Sequence, residues 1–71
     1  MADKFNKDDH TRIFKAAKYG SLVECNLDKV RFEYSIYDEM ISDAVEVKAA
    51  GYDVVVNGSM LFMDVTERVS G

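Results

Sequence analysis

Residues 37–51 read YDEMISDAVEVKAAG. Whether this run is a helix decides the fold, because short alternating segments lie on both sides of it. Met40, Ile41, Ala44, Val45 and Lys48 recur at three- and four-residue spacing, the period of one helix face. Asp38 stands where an N-cap belongs, Glu39 complements the positive end of the helix dipole, and Gly51 supplies a stop. The spacing therefore predicts a helix over 38–50. Its other face carries Glu39, Asp43 and Glu46 as a single acidic stripe.

On the N-terminal side, SLVEC, NLDK and VRFEYSIY read as strand, turn and strand. Val30, Phe32, Tyr34 and Ile36 alternate with Arg31, Glu33 and Ser35, the pattern of a strand with one wet face. Asn26 and Asp28 provide turn chemistry. Earlier still, Ile13, Phe14 and Ala17 share a helical face, Asp8 or Asp9 is the expected cap and Gly20 the expected stop. That predicts a first helix over 9–19, preceded by a polar, frayed segment at 1–8.

On the C-terminal side, YDVVVNGSMLFMDVTERV contains Asn57-Gly58, the residue pair that favours a two-residue type I′ hairpin loop. Such a loop would set Val56 opposite Ser59, Val54 opposite Leu61 and Tyr52 opposite Met63. The order α-β-β-α-β-β follows: a single small α+β domain over 9–71, with two β-hairpins and a helix packed on the sheet.

The second hairpin is apolar on both sides. Tyr52, Val54, Val56, Leu61, Met63 and Val65 form one face, whereas Val55, Met60 and Phe62 give the other a greasy centre among Asp53, Asn57 and Asp64. A sheet covered on one side needs only one apolar face. The first helix, a second subunit or a partner could cover the other. A chain of 71 residues buries only a modest core and often needs a staple. A homodimer with Val55, Met60 and Phe62 at its interface is therefore expected.

Other staples are missing from the sequence. The lone Cys25 excludes an internal disulfide, and one Cys with one His cannot complete a structural zinc site. Cys25, among apolar neighbours on a strand, is expected in the core. His10 is expected at the surface. No glycine-rich phosphate loop, nucleophile elbow or metal motif occurs, and no cofactor is implied. The adjacent carboxylates Asp8/Asp9 and Asp38/Glu39 fall at helix starts, where capping accounts for them. The expectation is a protein that is not an enzyme. The absence of an apolar leader or an 18-residue apolar run points to a cytoplasmic location, away from membranes.

Charge is unevenly distributed. The chain carries net −4; residues 1–20 hold five bases and three acids, and residues 21–71 hold four bases and ten acids. An acidic body repels nucleic acid directly and attracts basic proteins. Like charges at helical neighbour spacing oppose helix stability by about 0.2–0.5 kcal/mol per pair. The stripe of Glu39, Asp43 and Glu46, extended by Asp53 and Glu33, thus trades local stability for negative charge. Carboxylates a few ångströms apart approximate the spacing of phosphates along a DNA strand.

In size, acidity and compact α+β plan the chain resembles the small host-takeover proteins of lytic bacterial phages, and in its stripe the DNA-mimic inhibitors among them, including the type that blocks the histone-like protein HU. The resemblance spans the whole chain without a shared motif. It implies binding to the DNA-contacting surface of a basic nucleoid protein, and displacement of DNA. Two alternatives stay open: an inhibitor of RNA polymerase or a replication clamp anchored by the apolar hairpin patch, and an accessory dimer subunit.

Overall fold

A computed structural model describes residues 5–67. Helix α1 spans Lys7–Ala16. Asn6 is its N-cap: the Asn6 side chain accepts from the Asp9 backbone N–H, and the Asp9 carboxylate accepts from the Asn6 N–H, both at 2.9 Å. This reciprocal capping box replaces the cap expected at Asp8 or Asp9 and starts the helix two residues early. Phe5 is buried, so residues 5–8 belong to the folded body instead of a frayed segment; residues 1–4 lie outside the described part.

The helix ends at Ala16, short of the expected 19. Gly20 is therefore no helix stop. A Cβ there would lie 2.6 Å from the Tyr34 ring and 2.8 Å from the Phe32 Cβ. Glycine is required because the chain passes directly over the sheet.

Strands β1 (Ser21–Cys25) and β2 (Val30–Glu33) form the first hairpin, with a register shift between Leu22 and Glu24. The Asn26 N–H donates to the Lys29 carbonyl to close its turn. Val30, Phe32 and Tyr34 point inward as their alternation requires, but Ile36 is exposed and serves as N-cap of the next helix.

Helix α2 spans Tyr37–Ala49. Asp38 lies in its first turn and makes no cap, correcting that expectation. The buried stripe is Met40, Asp43 and Val47, with Ile41 and Ala44 at its margin and Val45 62% exposed. The helix is thus rotated about its axis relative to the all-apolar stripe, and Asp43 faces inward. Gly51 does end this element, with φ +108°.

Strands β3 (Asp53–Asn57) and β4 (Phe62–Thr66) pair with Val54 opposite Val65 and Val56 opposite Met63. The connection is four residues long, not two. The Asn57 side chain accepts from the N–H groups of Ser59 (3.0 Å) and Met60 (2.9 Å), its carbonyl accepts from Leu61, and the positive φ of 57° falls on Leu61. The type I′ turn at Asn57-Gly58 is thereby replaced. The register moves by an even number of residues, so the two faces keep their side chains.

The sheet has order β1-β2-β4-β3 and is antiparallel throughout. β2 and β3 run parallel with β4 between them, joined through α2. Both helices pack on one face: α2 lies over Val54 and Val56, and Phe14 of α1 meets Phe32 edge-on, ring centroids 6.3 Å apart. Val30, Phe32, Met63 and Val65 form the sheet side of the core, beneath Ile13, Met40 and Val47. No described element covers the other face, so α1 does not cover the second apolar surface of the hairpin. No helix among the described residues is long and apolar enough to cross a membrane.

Candidate functional site

Buried or perturbed titratable groups in a cleft mark chemistry. The buried carboxylates here have structural partners instead. Asp43, 1% exposed, accepts from the backbone N–H groups of Lys18, Tyr19 and Gly20, each at 3.0 Å, and from the Tyr34 hydroxyl at 2.7 Å. It thereby fixes the linker between α1 and β1. Burial, and then the neighbouring Asp43, raise the Tyr34 phenol well above its ordinary pKa, so it remains a donor.

Asp9 occupies a similar node near the start of α1. It accepts from the Tyr52 hydroxyl at 2.6 Å and from the Arg12 guanidinium at 3.0 Å, besides the Asn6 N–H. These bonds, Tyr52 foremost, lower its pKa to about 2. On the open face, Arg31 grips Asp64 through two hydrogen bonds of 2.6 and 3.0 Å, and its guanidinium lies 4.1 Å from the Phe62 ring centroid. Arg31 lowers the Asp64 pKa. Among the described residues, no buried side-chain nitrogen or oxygen lacks a partner, and no group of three His, Cys, Asp or Glu could hold a metal ion.

His10 is half-buried between Phe5 and Phe14, with Nε2 3.3 Å from the Asn26 carbonyl oxygen. Cys25, expected in the core, is exposed at the end of β1.

The acidic stripe does not survive as a row. Its middle member, Asp43, points into the core and cannot meet a partner. Glu39 is partly exposed near the start of α2, Glu46 is exposed toward its end, and Asp53 and Glu33 are exposed on the strands. Glu33 pairs with Phe62, and Asp53 alternates in phase with Val55, so both belong to the open face of the sheet, opposite the face on which α2 carries Glu39 and Glu46. Glu46 shares a shallow groove with Arg12 and Lys15 of α1, where the basic helix meets the acidic one.

The apolar set also divides. Val55 (64% exposed) and Phe62 lie on the open face, Phe62 partly covered by Arg31, whereas Met60 (66% exposed) sits in the β3–β4 loop.

Sequence reasoning missed both carboxylate nodes. For Asp43 a signal existed: it lies three residues after Met40 and four before Val47, within the buried stripe. For Asp9 the signal was the Asn6–Asp9 spacing of a capping box. Comparisons with protein-family models, curated proteins and solved structures find no match.

Proposed function

We propose that the chain is a non-catalytic binding protein of the cytoplasm whose exposed carboxylates engage the basic, DNA-contacting surface of a nucleoid protein of the HU type, displacing DNA. One observation carries this reading. Among the described residues the ion pairs are Arg12–Asp9, Lys29–Glu24 and Arg31–Asp64, and Glu33, Asp38, Glu39, Glu46 and Asp53 are in none of them. Two of the few bases in the acidic body are thus already engaged, and its outward field is negative.

The contact set is smaller than the sequence implied. Glu39 and Glu46 are about 10 Å apart along the helix axis at 1.5 Å per residue. That matches roughly three phosphate steps of one DNA strand. Asp53 and Glu33 add negative charge on the open face of the sheet, and Asp43 is left out.

The test is competition between this chain and labelled duplex DNA for a purified HU-type protein, at low and high salt. Displacement at low salt that fades at high salt, and that weakens at least tenfold in a Glu39→Lys, Glu46→Lys, Asp53→Lys variant, supports the reading. No displacement at low salt, or displacement indifferent to the three changes, overturns it. A second reading, an inhibitor of RNA polymerase or a replication clamp, draws on the exposure of Val55 and Met60. It predicts capture of that partner which persists at high salt.

A further inference from the structure

Among the described residues the sheet has two free edges, and they differ. β1 is interrupted by its register shift, which leaves Val23 out of the ladder. Bulges of this kind blunt an edge against further pairing. β3 is regular, pairs with β4 alone among the described strands, and reads Asp53-Val54-Val55-Val56-Asn57. It has no proline, no lysine and no bulge, and its one charge is at the first position.

The direction of its free backbone groups follows from the loop. The Asn57 carbonyl accepts from the Leu61 N–H at 2.8 Å, so Asn57 faces β4. Backbone groups of successive residues in an antiparallel strand point to opposite sides. Val55 and Asp53 then face β4 as well, and the N–H and C=O groups of Val54 and Val56 face outward with no described strand beside them.

We infer that this edge pairs with the β3 edge of a second copy, making a two-fold dimer with an eight-stranded sheet. The strand is self-complementary in one register, centred on Val55 against Val55. In that register Val54 and Val56 of opposite chains exchange N–H···O=C bonds in both directions, four in all, and use every outward group of the strand interior. Asp53 falls opposite Asn57, so no like charges meet across the joint. The neighbouring registers leave one of the two valines opposite Tyr52 or Gly58, outside the strand.

Side chains agree on both faces. On the helical side, Val54 and Val56 border a groove with Ile41, Ala44, the exposed Val45 and, at its margin, Lys48. The two-fold would bring two such grooves together. On the open side, the two Val55 side chains would meet, removing the most exposed apolar residue of the strand from water. A 71-residue chain with a free cysteine as its sole thiol gains the staple its size calls for.

This inference does not rest on the proposed DNA mimicry, and salt separates the two. Each chain carries net −4, so salt should strengthen the dimer and weaken a contact with a basic protein.

The test is sedimentation velocity of the full chain from micromolar to millimolar concentration, with amide hydrogen exchange read at both extremes. Expected are a dimer that tightens with salt, Val54 and Val56 amides whose protection rises with concentration, a dissociation constant at least tenfold weaker in Val55→Lys, and no change in Val23→Lys. A monomer at millimolar concentration overturns the proposal. So does a dimer in which the Val54 and Val56 amides exchange at the monomer rate, or one weakened by Val23→Lys and untouched by Val55→Lys.

Discussion

Asp43 shows how one carboxylate can decide whether two elements stay joined. Three consecutive backbone N–H groups and one phenol converge on it, in a region closed to water. Asparagine at this position would turn an NH₂ toward some of those donors. Each buried donor left without an acceptor costs about 1–3 kcal/mol. Asp43→Asn should therefore lose roughly 3 kcal/mol, against about 1 kcal/mol for Tyr34→Phe, which removes a single bond. Urea unfolding measures both, and equal midpoints for Asp43→Asn and the parent chain would place this carboxylate in water. Asp9 permits a pH test. Its folded pKa of about 2 lies below the ordinary 3.8, so the unfolded chain binds the proton more tightly. The stabilisation is complete above the unfolded value and is lost as pH falls from 3.8 toward 2. Thermal melts across that window should show falling stability. In Asp9→Asn the fall should be shallower, from a lower starting stability at neutral pH. An unchanged slope would mean the Tyr52 and Arg12 bonds do not hold the carboxylate ionised.

At the scale of elements, Gly51 isolates a purely backbone contribution. Its φ is +108°, and an added Cβ would meet nothing within 4 Å. Gly51→Ala should cost about 1–2 kcal/mol with no steric clash, a loss visible in the urea midpoint with the m-value unchanged. A neutral Gly51→Ala would show that the α2–β3 turn relaxes freely. This stop was legible from the sequence, as were the order of elements and the inward alternation of Val30 and Phe32, because local pattern sets each of them. The hairpin loop was not. Asn-Gly is a signal for φ > 0 at both positions, but here the Asn57 side chain takes up two loop N–H groups and Leu61 adopts the positive φ. Strand periodicity cannot detect a shift by an even number of residues, so the faces were readable and the loop length was not. The rotation of α2 escaped for another reason. Asp43 flanks the apolar stripe on one side as Val45 does on the other, and hydrophobicity favours Val45. What reverses the choice is a set of backbone donors at 18–20, which no residue type announces. The candidate site suffered directly, since its central carboxylate belongs to the core.

For the molecule as a whole, the question is whether α1 is part of the cooperative unit or an appendage on a sheet already covered by α2. Its attachments argue for the first. The Asp9–Tyr52 node ties its start to the residue before β3, Asp43 of α2 holds the linker after it, and Ile13 is fully buried between. Phe5 adds a fourth tie: its backbone N–H donates to the Leu27 carbonyl in the β1–β2 turn, and its ring meets Tyr52 at 5.9 Å. A chain of this length has a total stability of roughly 4–11 kcal/mol, at 0.05–0.15 kcal/mol per residue. Replacing a buried phenylalanine by alanine costs about 3–5 kcal/mol. Phe5→Ala should therefore consume a large part of the total and bring the urea midpoint down sharply. If α1 folds with the sheet, far-ultraviolet circular dichroism and tyrosine fluorescence will still report one coincident transition, because the loss is felt everywhere at once. If α1 is an appendage, helix signal will disappear first, while the fluorescence transition stays where it is in the parent chain. The distinction bears on function, since Glu46 shares its groove with Arg12 and Lys15 of this helix. In a cooperative unit those bases permanently moderate the field at the C-terminal end of α2, and a basic partner would meet its strongest attraction at the other end, around Asp38 and Glu39.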